Sequence, residues 1–202
     1  MIKMENVCKK FDEKVILDNF NITIDMGEFV VFAGKSGCGK TTVLNMIGGI
    51  EPFDSGMLTI NGNDITKKSF LKKYYLNEVG FLFQNFALVE NKTVRNNIEM
   101  VQKSSRSQYS IEEALEKVGM LKDIDTKVYK LSGGEQQRVA LARLIFKKCN
   151  IILADEPTGS LDSENAKKII DILDGLNEEG RTIILVTHDE KIINSGRRIV
   201  KL

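Results

Sequence analysis

Gly34-Lys35-Ser36-Gly37-Cys38-Gly39-Lys40-Thr41-Thr42 is the stretch that most restricts what this chain can fold into. It follows a short apolar run, Phe29-Val30-Val31-Phe32-Ala33. It precedes a helical pattern, Val43, Leu44, Met46 and Ile47, closed by Gly48-Gly49. Strand, glycine-rich loop, helix is the context that a phosphate-binding loop requires. Glycines let backbone N–H groups curl around a pyrophosphate with no Cβ in the way. The helix N-terminus adds unpaired donors and a partial positive charge. Lys40 is placed to reach the β- and γ-phosphates, and the Thr41 hydroxyl to bind Mg²⁺. The chain is therefore expected to bind a nucleotide on an α/β core.

The 202 residues suffice for one sizeable core, with or without a satellite subdomain. Lys and Arg number 29 against 28 Asp and Glu, a balance unlike the basic footprint of a nucleic-acid binder. No nucleic-acid partner is expected. Lys67-Lys68 and Lys72-Lys73 read as solvated loop faces. No apolar run approaches the roughly 18 residues of a membrane span. The opening Met1-Ile2-Lys3-Met4-Glu5 leads into alternation, not into the apolar block of a signal peptide. Cys8, Cys38 and Cys149 are scattered, with no ligand spacing, and read as reduced thiols of a cytosolic protein.

Along the chain, Ile2 and Met4, then Phe20, Ile22 and Ile24, alternate with polar residues as half-buried strands do. Between them sits Phe11. Spacing alone leaves two readings open, a core aromatic or a ring that stacks on a nucleotide base. Met57–Asn61 reads as a strand, Asn61-Gly62 as a hairpin turn, and Val79–Phe83 as a strand ending at Gln84. Residues 85–150 change to helical character. Ser110 with Glu113 and Ser132 with Glu135 each form a capping box ahead of an apolar helical face. Gln102–Tyr109 is polar and expected to be the loosest surface loop. A helical insertion, residues 85–150, thus divides a strand-rich core, residues 1–84 and 151–202, within one domain.

Ile151-Ile152-Leu153-Ala154 is a buried strand that ends in Asp155-Glu156, and Ile183-Ile184-Leu185-Val186 is another that ends near His188. In a parallel α/β sheet ligands collect at the carboxyl ends of strands, so Gly34, Asp155 and His188 should converge on one crevice. Asp155 would hold Mg²⁺, in part through water. Glu156 would orient or deprotonate an attacking water. His188, the single histidine, would contact the γ-phosphate. A boundary carboxylate pair and a structural histidine are the bland alternatives.

Leu131-Ser132-Gly133-Gly134-Glu135-Gln136-Gln137-Arg138 then gives the resemblance. With the phosphate loop before it, and Leu153-Ala154-Asp155-Glu156-Pro157-Thr158 and Val186-Thr187-His188-Asp189 after it, the chain resembles an ABC-type ATPase, the nucleotide-binding subunit of an ATP-driven transporter. The resemblance spans essentially the whole chain. It implies an α/β P-loop NTPase (RecA-like) core with an antiparallel β subdomain and an inserted helical subdomain. It implies ATP and Mg²⁺ as cofactors. Phe11 would occupy the base-stacking position, where tyrosine is more usual. Gln84 would touch Mg²⁺ or the attacking water and move with a partner permease. Gly159-Ser160-Leu161-Asp162 resembles the loop that crosses the subunit interface.

A head-to-tail homodimer with two ATP molecules sandwiched inside it is also implied. Ser132, Gly133 and Gly134 of one copy would face the γ-phosphate held by Lys40 of the other. Val79–Gln84 is similar to the branch serving lipoprotein release, macrolide or peptide efflux and bacteriocin export, and Asn85–Asn91 to its bacteriocin-export members. The resemblance places the subunit in the cytoplasm, on the inner face of the membrane through its permease. The end of the chain, one strand past His188, argues against accessory regulation there. A non-transport role, driving a membrane protein in signalling or cell-wall enzyme activation, would use the same engine. A DNA-repair or translation ATPase would carry a long coiled coil or tandem cassettes, and neither is present. Lys40→Ala should remove most of the phosphate affinity, and an unchanged ATP dissociation constant in equilibrium dialysis would contradict the role given to Lys40.

Overall fold

A computed structural model describes all 202 residues. In chain order the elements are β1 (Ile2–Phe11), β2 (Lys14–Ile24), β3 (Phe29–Ala33), α1 (Lys40–Ile47), β4 (Ser55–Ile60), β5 (Asn63–Asp64), α2 (Lys68–Asn77) and β6 (Val79–Leu82). There follow α3 (Val94–Glu99), α4 (Ile111–Lys117), α5 (Gly133–Phe146), β7 (Ile151–Asp155), α6 (Ser163–Glu178), β8 (Thr182–Thr187), α7 (Glu190–Ile193) and β9 (Arg198–Lys201). No helix is long and apolar enough to cross a membrane.

The strands form two sheets. One is antiparallel, in the order β2-β1-β4-β5. The other is parallel, in the order β6-β7-β8-β3-β9. In the first, Ile2 pairs with Ile24 and Met4 with Ile22, so the alternation of both strands buries one shared face. The β4–β5 hairpin turns at Asn61-Gly62, whose φ values of 51° and 74° are the two left-handed residues of a type I′ turn.

The parallel sheet is apolar on both faces, as helices or sheets covering both sides demand. Successive residues of a strand point to opposite faces, and the core divides accordingly. Val30 and Phe32 of β3, Leu153 of β7 and Ile184 and Val186 of β8 join α1 and the antiparallel sheet in one cluster. Val31, Ile152, Ala154, Ile183 and Leu185 join α5, α6 and the helices between β6 and β7 in the other. α5 is buried nearly all round over Val139–Phe146, which is why its apolar pattern is broad and not a stripe. Each large side chain so buried contributes about 1.5–3 kcal/mol.

Two expectations are corrected and one open reading is narrowed. Lys67–Lys73 is not loop. Lys67 is the N-cap of α2, and Lys68, Lys72 and Lys73 lie on its exposed face, while Tyr74 is wholly buried and Phe70 and Leu71 pack against the core. Gln102–Tyr109 is pinned: it holds a short 3₁₀ turn, Ser105 is buried, the Ser107 hydroxyl donates to the Ile145 carbonyl at 2.8 Å, and Arg106 pairs with Lys147 in an antiparallel bridge. Phe11 is no core aromatic, being 44% exposed at the end of β1.

α1 and α2 are joined by one buried contact. The Tyr74 hydroxyl donates to the Ile47 carbonyl at 3.0 Å, at the end of α1 where a helical carbonyl lacks its own partner. Burial pushes the Tyr74 phenol well above its ordinary pKa, so it is a donor throughout the working range. Tyr74→Phe leaves that carbonyl unsatisfied and should lower stability by about 1–3 kcal/mol, read as a shift in the urea midpoint with an unchanged slope.

Candidate functional site

β3 delivers the chain into the glycine-rich loop, and the loop closes on α1 through Gly39. This residue is the N-cap of α1 and has φ of 104°, a backbone that an L side chain rarely adopts. It also has no room: a Cβ here would lie 2.4 Å from Cγ2 of Ile16 on β2. Lys40 is 6% exposed, and its Nζ donates to the carbonyls of Gly34 (2.9 Å) and Lys35 (3.1 Å). The ammonium thus holds the loop in its curled shape from inside. Lys14 supplies an outer clasp, its Nζ donating to the Gly37 carbonyl at 2.9 Å. The Sγ of Cys38 lies against Gly34, away from the cavity described next.

A cavity of about 510 Å³ opens over this loop. Ser36, Gly37, Gly39, Lys40, Thr41 and Thr42 form its floor, and Phe11, Lys14, Ile16, Gln84, Glu156 and His188 its walls. The Thr41 hydroxyl donates to Asp155 Oδ1 at 3.0 Å. Burial lifts the Asp155 carboxyl above the usual carboxylate range, and the neighbouring Glu156 adds to the lift, while the bond from Thr41 pulls it down. Glu156 has φ of 45°, left-handed for a residue with a side chain. One of its oxygens, Oε1, lies 2.8 Å from His188 Nδ1. The other, Oε2, is buried with no partner in the protein. A buried acceptor left unpaired costs about 1–3 kcal/mol. Such strain and frustration concentrate at working sites.

Thr41 hydroxyl, Asp155 carboxylate and Gln84 amide are hard oxygen donors. They fit Mg²⁺, which takes few protein ligands and keeps the rest of its shell for water and phosphate. The charge disfavoured on Asp155 is a charge that a cation would restore.

Ser132, Gly134 and Asp162 are not in this cavity, and Gly133 borders a separate one of about 660 Å³ with Gln84 and Asp155. Ser132 caps α5 in a full capping box. Its hydroxyl and backbone N–H both donate to Glu135 Oε2, at 2.7 and 2.8 Å, and hold that carboxyl below the usual range. The helix tip is therefore committed within its own chain and not bare. Gly134 also has a packing reason, since a Cβ would come within 2.8 Å of Asn165 on α6. Asp162 caps α6, accepting from the N–H groups of Glu164 and Asn165 at 3.0 and 2.9 Å.

The sequence reading missed Lys14 and Ile16, whose place depends on how β1 and β2 pair. It also missed Arg143 of α5, whose guanidinium donates to the carbonyls of Phe86 (3.2 Å) and Ala87 (2.6 Å), two left-handed residues just after Gln84.

Residues 17–159 match the family described as ABC transporter. The chain is 38% identical over 210 residues to the macrolide export ATP-binding/permease protein MacB of Campylobacter jejuni subsp. jejuni serotype O:2, a match covering 100% of this chain and 33% of that protein. It is 38% identical over 212 residues to the uncharacterized ABC transporter ATP-binding protein YvrO of Bacillus subtilis, covering 99% of this chain and 92% of that one. It superposes with a TM-score of 0.87 and 37% identity on a dimeric post-hydrolysis state of the ATP-binding cassette MJ0796 bound to ADP and Pi, covering 100% of this chain and 94% of the other. The chain thus spans a third of the macrolide-export relative and nearly all of the other two.

Gly39 carries two separable constraints, its left-handed backbone and its contact with Ile16. Gly39→Ala should destabilise the protein by about 2–4 kcal/mol, the sum of overpacking and an unfavourable φ. In a double-mutant cycle with Ile16→Ala, about 1–2 kcal/mol should return as coupling in urea titrations, leaving the backbone part unrelieved.

Proposed function

The chain belongs to the ABC transporter family, and from that premise we propose that it is the subunit that binds and hydrolyses ATP to drive a membrane permease. The observation that carries the reading is the Glu156 carboxylate. It stands at the wall of a phosphate cradle with one oxygen on His188 and the other unpaired.

In this reading the loop N–H groups, the N-terminus of α1 and Lys40 hold the triphosphate. Lys40 turns from the Gly34 and Lys35 carbonyls to phosphate oxygens, exchanging neutral partners for a charged one. Phe11, exposed beside the cradle, stacks on the base. Thr41, Asp155 and Gln84 hold Mg²⁺, which when bound neutralises charge on the β- and γ-phosphates. Glu156, at the cavity wall, accepts the proton of the attacking water, and His188 Nδ1 fixes the orientation of the carboxylate. Positioning and charge stabilisation do most of the catalysis, because the phosphoryl group is its own electrophile.

Ser132, Gly133 and Gly134 lie off the cradle of their own chain, and their place in the reading is in a second copy. There they would complete the site across a head-to-tail dimer, with Asp162 in the loop between the copies. The dimeric, nucleotide-bound state of the structural relative supports this. Ser132 must then exchange its bond to Glu135 for one to phosphate. The name of the macrolide-export relative joins ATP-binding and permease functions, which supports a permease partner and export; the proposal extends this to attachment at the inner membrane face and to a peptide, bacteriocin, lipoprotein or drug as cargo.

Glu156→Gln should retain ATP and lose turnover by about 10²–10⁴-fold, accumulating an ATP-bound dimer on size exclusion. Adding Ser132→Arg in that background should return the protein to monomers that still bind ATP. Wild-type turnover in the first variant, or an intact dimer in the second, would defeat the scheme.

A further inference from the structure

Phe11 and the phosphate loop belong to different sheets, so something must fix the distance between a base platform and a phosphate cradle. The contacts of β1 provide it. Lys9, two residues before Phe11, is 6% exposed although charged, and its Nζ sits 4.5 Å from the centroid of the Phe11 ring. The same ammonium pairs with Glu51 at 2.6 Å. Glu51 lies on the turn that closes α1, its N–H donating to the Asn45 carbonyl at 3.2 Å. Ring, ammonium, carboxylate and helix thus form one connected path. It ends on the helix whose first residue is Lys40. A second tie reinforces it, for Asp54 accepts from the Lys10 N–H at 2.8 Å and donates its own N–H to the Cys8 carbonyl at 2.9 Å.

A buried ammonium is costly unless paired and well placed, and an exposed aromatic ring is free to turn unless held. Here each deals with the other's need. The cation covers one face of the ring through attraction to its π-electrons, and the ring, still exposed, lines the cavity.

We propose that Lys9, held by Glu51, is a positioning residue for nucleoside triphosphates: it presets the Phe11 ring at a fixed span from the phosphate cradle, so that base and phosphates are bound together. The inference rests on the base-stacking reading of Phe11. It assigns to Lys9 no contact with the nucleotide, and its effect is confined to ligands that carry a base.

The test compares ATP with inorganic tripolyphosphate by isothermal titration calorimetry on the full chain in magnesium buffer. Phe11→Ala should weaken ATP about tenfold, the loss of one base stack, and leave tripolyphosphate unchanged. Lys9→Met should weaken ATP about threefold, the cost of ordering a ring that is no longer preset, again without touching tripolyphosphate. In the Phe11→Ala background it should add nothing. Glu51→Gln, which keeps a hydrogen-bond acceptor for Lys9 but not the charge, should give the same base-dependent loss and serves if Lys9→Met fails to fold. Equal weakening of both ligands, or a full Lys9 effect without the ring, would overturn the proposal. So would a Lys9→Met that binds ATP normally while Phe11→Ala does not. If Phe11→Ala itself binds ATP normally, it is the stacking reading that fails.

Discussion

Parallel pairing of β6, β7, β8 and β3 is the constraint on which the site depends. In a parallel ladder every strand ends on the same edge, and the register here is tight: Ala33 beside Thr187, Asp155 beside Val186, Leu82 beside Ala154. The residues that follow, Gly34, His188, Glu156 and Gln84, are carried to that edge by the backbone ladder. They lie as far as 154 positions apart in sequence (188 − 34), and no local propensity would assemble them. Both faces of the sheet are buried, so slipping β3 by a residue would turn Val30 and Phe32 away from their cluster, and slipping β8 would do the same to Ile184 and Val186. The hydrophobic core thereby enforces the geometry of a polar site that it does not touch.

The polar groups at that edge are held short of satisfaction. Lys40 is content with its own loop, but Asp155 is half-buried against its charge, Glu156 is left-handed, and one Glu156 oxygen lacks a partner. A protein selected for stability alone would relax these. Their persistence on a rigid sheet edge is the arrangement expected where a ligand supplies the missing partners.

The phosphate loop could be read from the sequence because its chemistry is local: glycines, lysine and threonine at fixed offsets between an apolar strand and a helix. The capping boxes at Ser110 and Ser132 were legible for the same reason, and both close as expected. α2 was not. Its N-cap is Lys67 with no side-chain cap, its first turn has no acid, and the lysines hide Phe70, Leu71 and Tyr74 in a polar-looking stretch. The fixed conformation of residues 102–109 comes from tertiary contacts with 145–147, which polarity along the chain does not record. The clasp from Lys14 and the packing of Ile16 under Gly39 depend on the irregular register between β1 and β2, which shifts three times between Met4 and Lys10. Gly134 looked like a ligand glycine from its neighbours, and the structure adds a packing reason, the close approach of α6.

Arg143 has a mechanical consequence. It sits toward the far end of α5 and grips Phe86 and Ala87, while Ser132 caps the near end. A helix of 14 residues is a stiff rod of about 21 Å at 1.5 Å per residue. The two gripped residues are both in left-handed backbone. Any push delivered to the segment after Gln84 must either break the guanidinium fork or tilt the rod, and a tilt swings the serine tip at its other end.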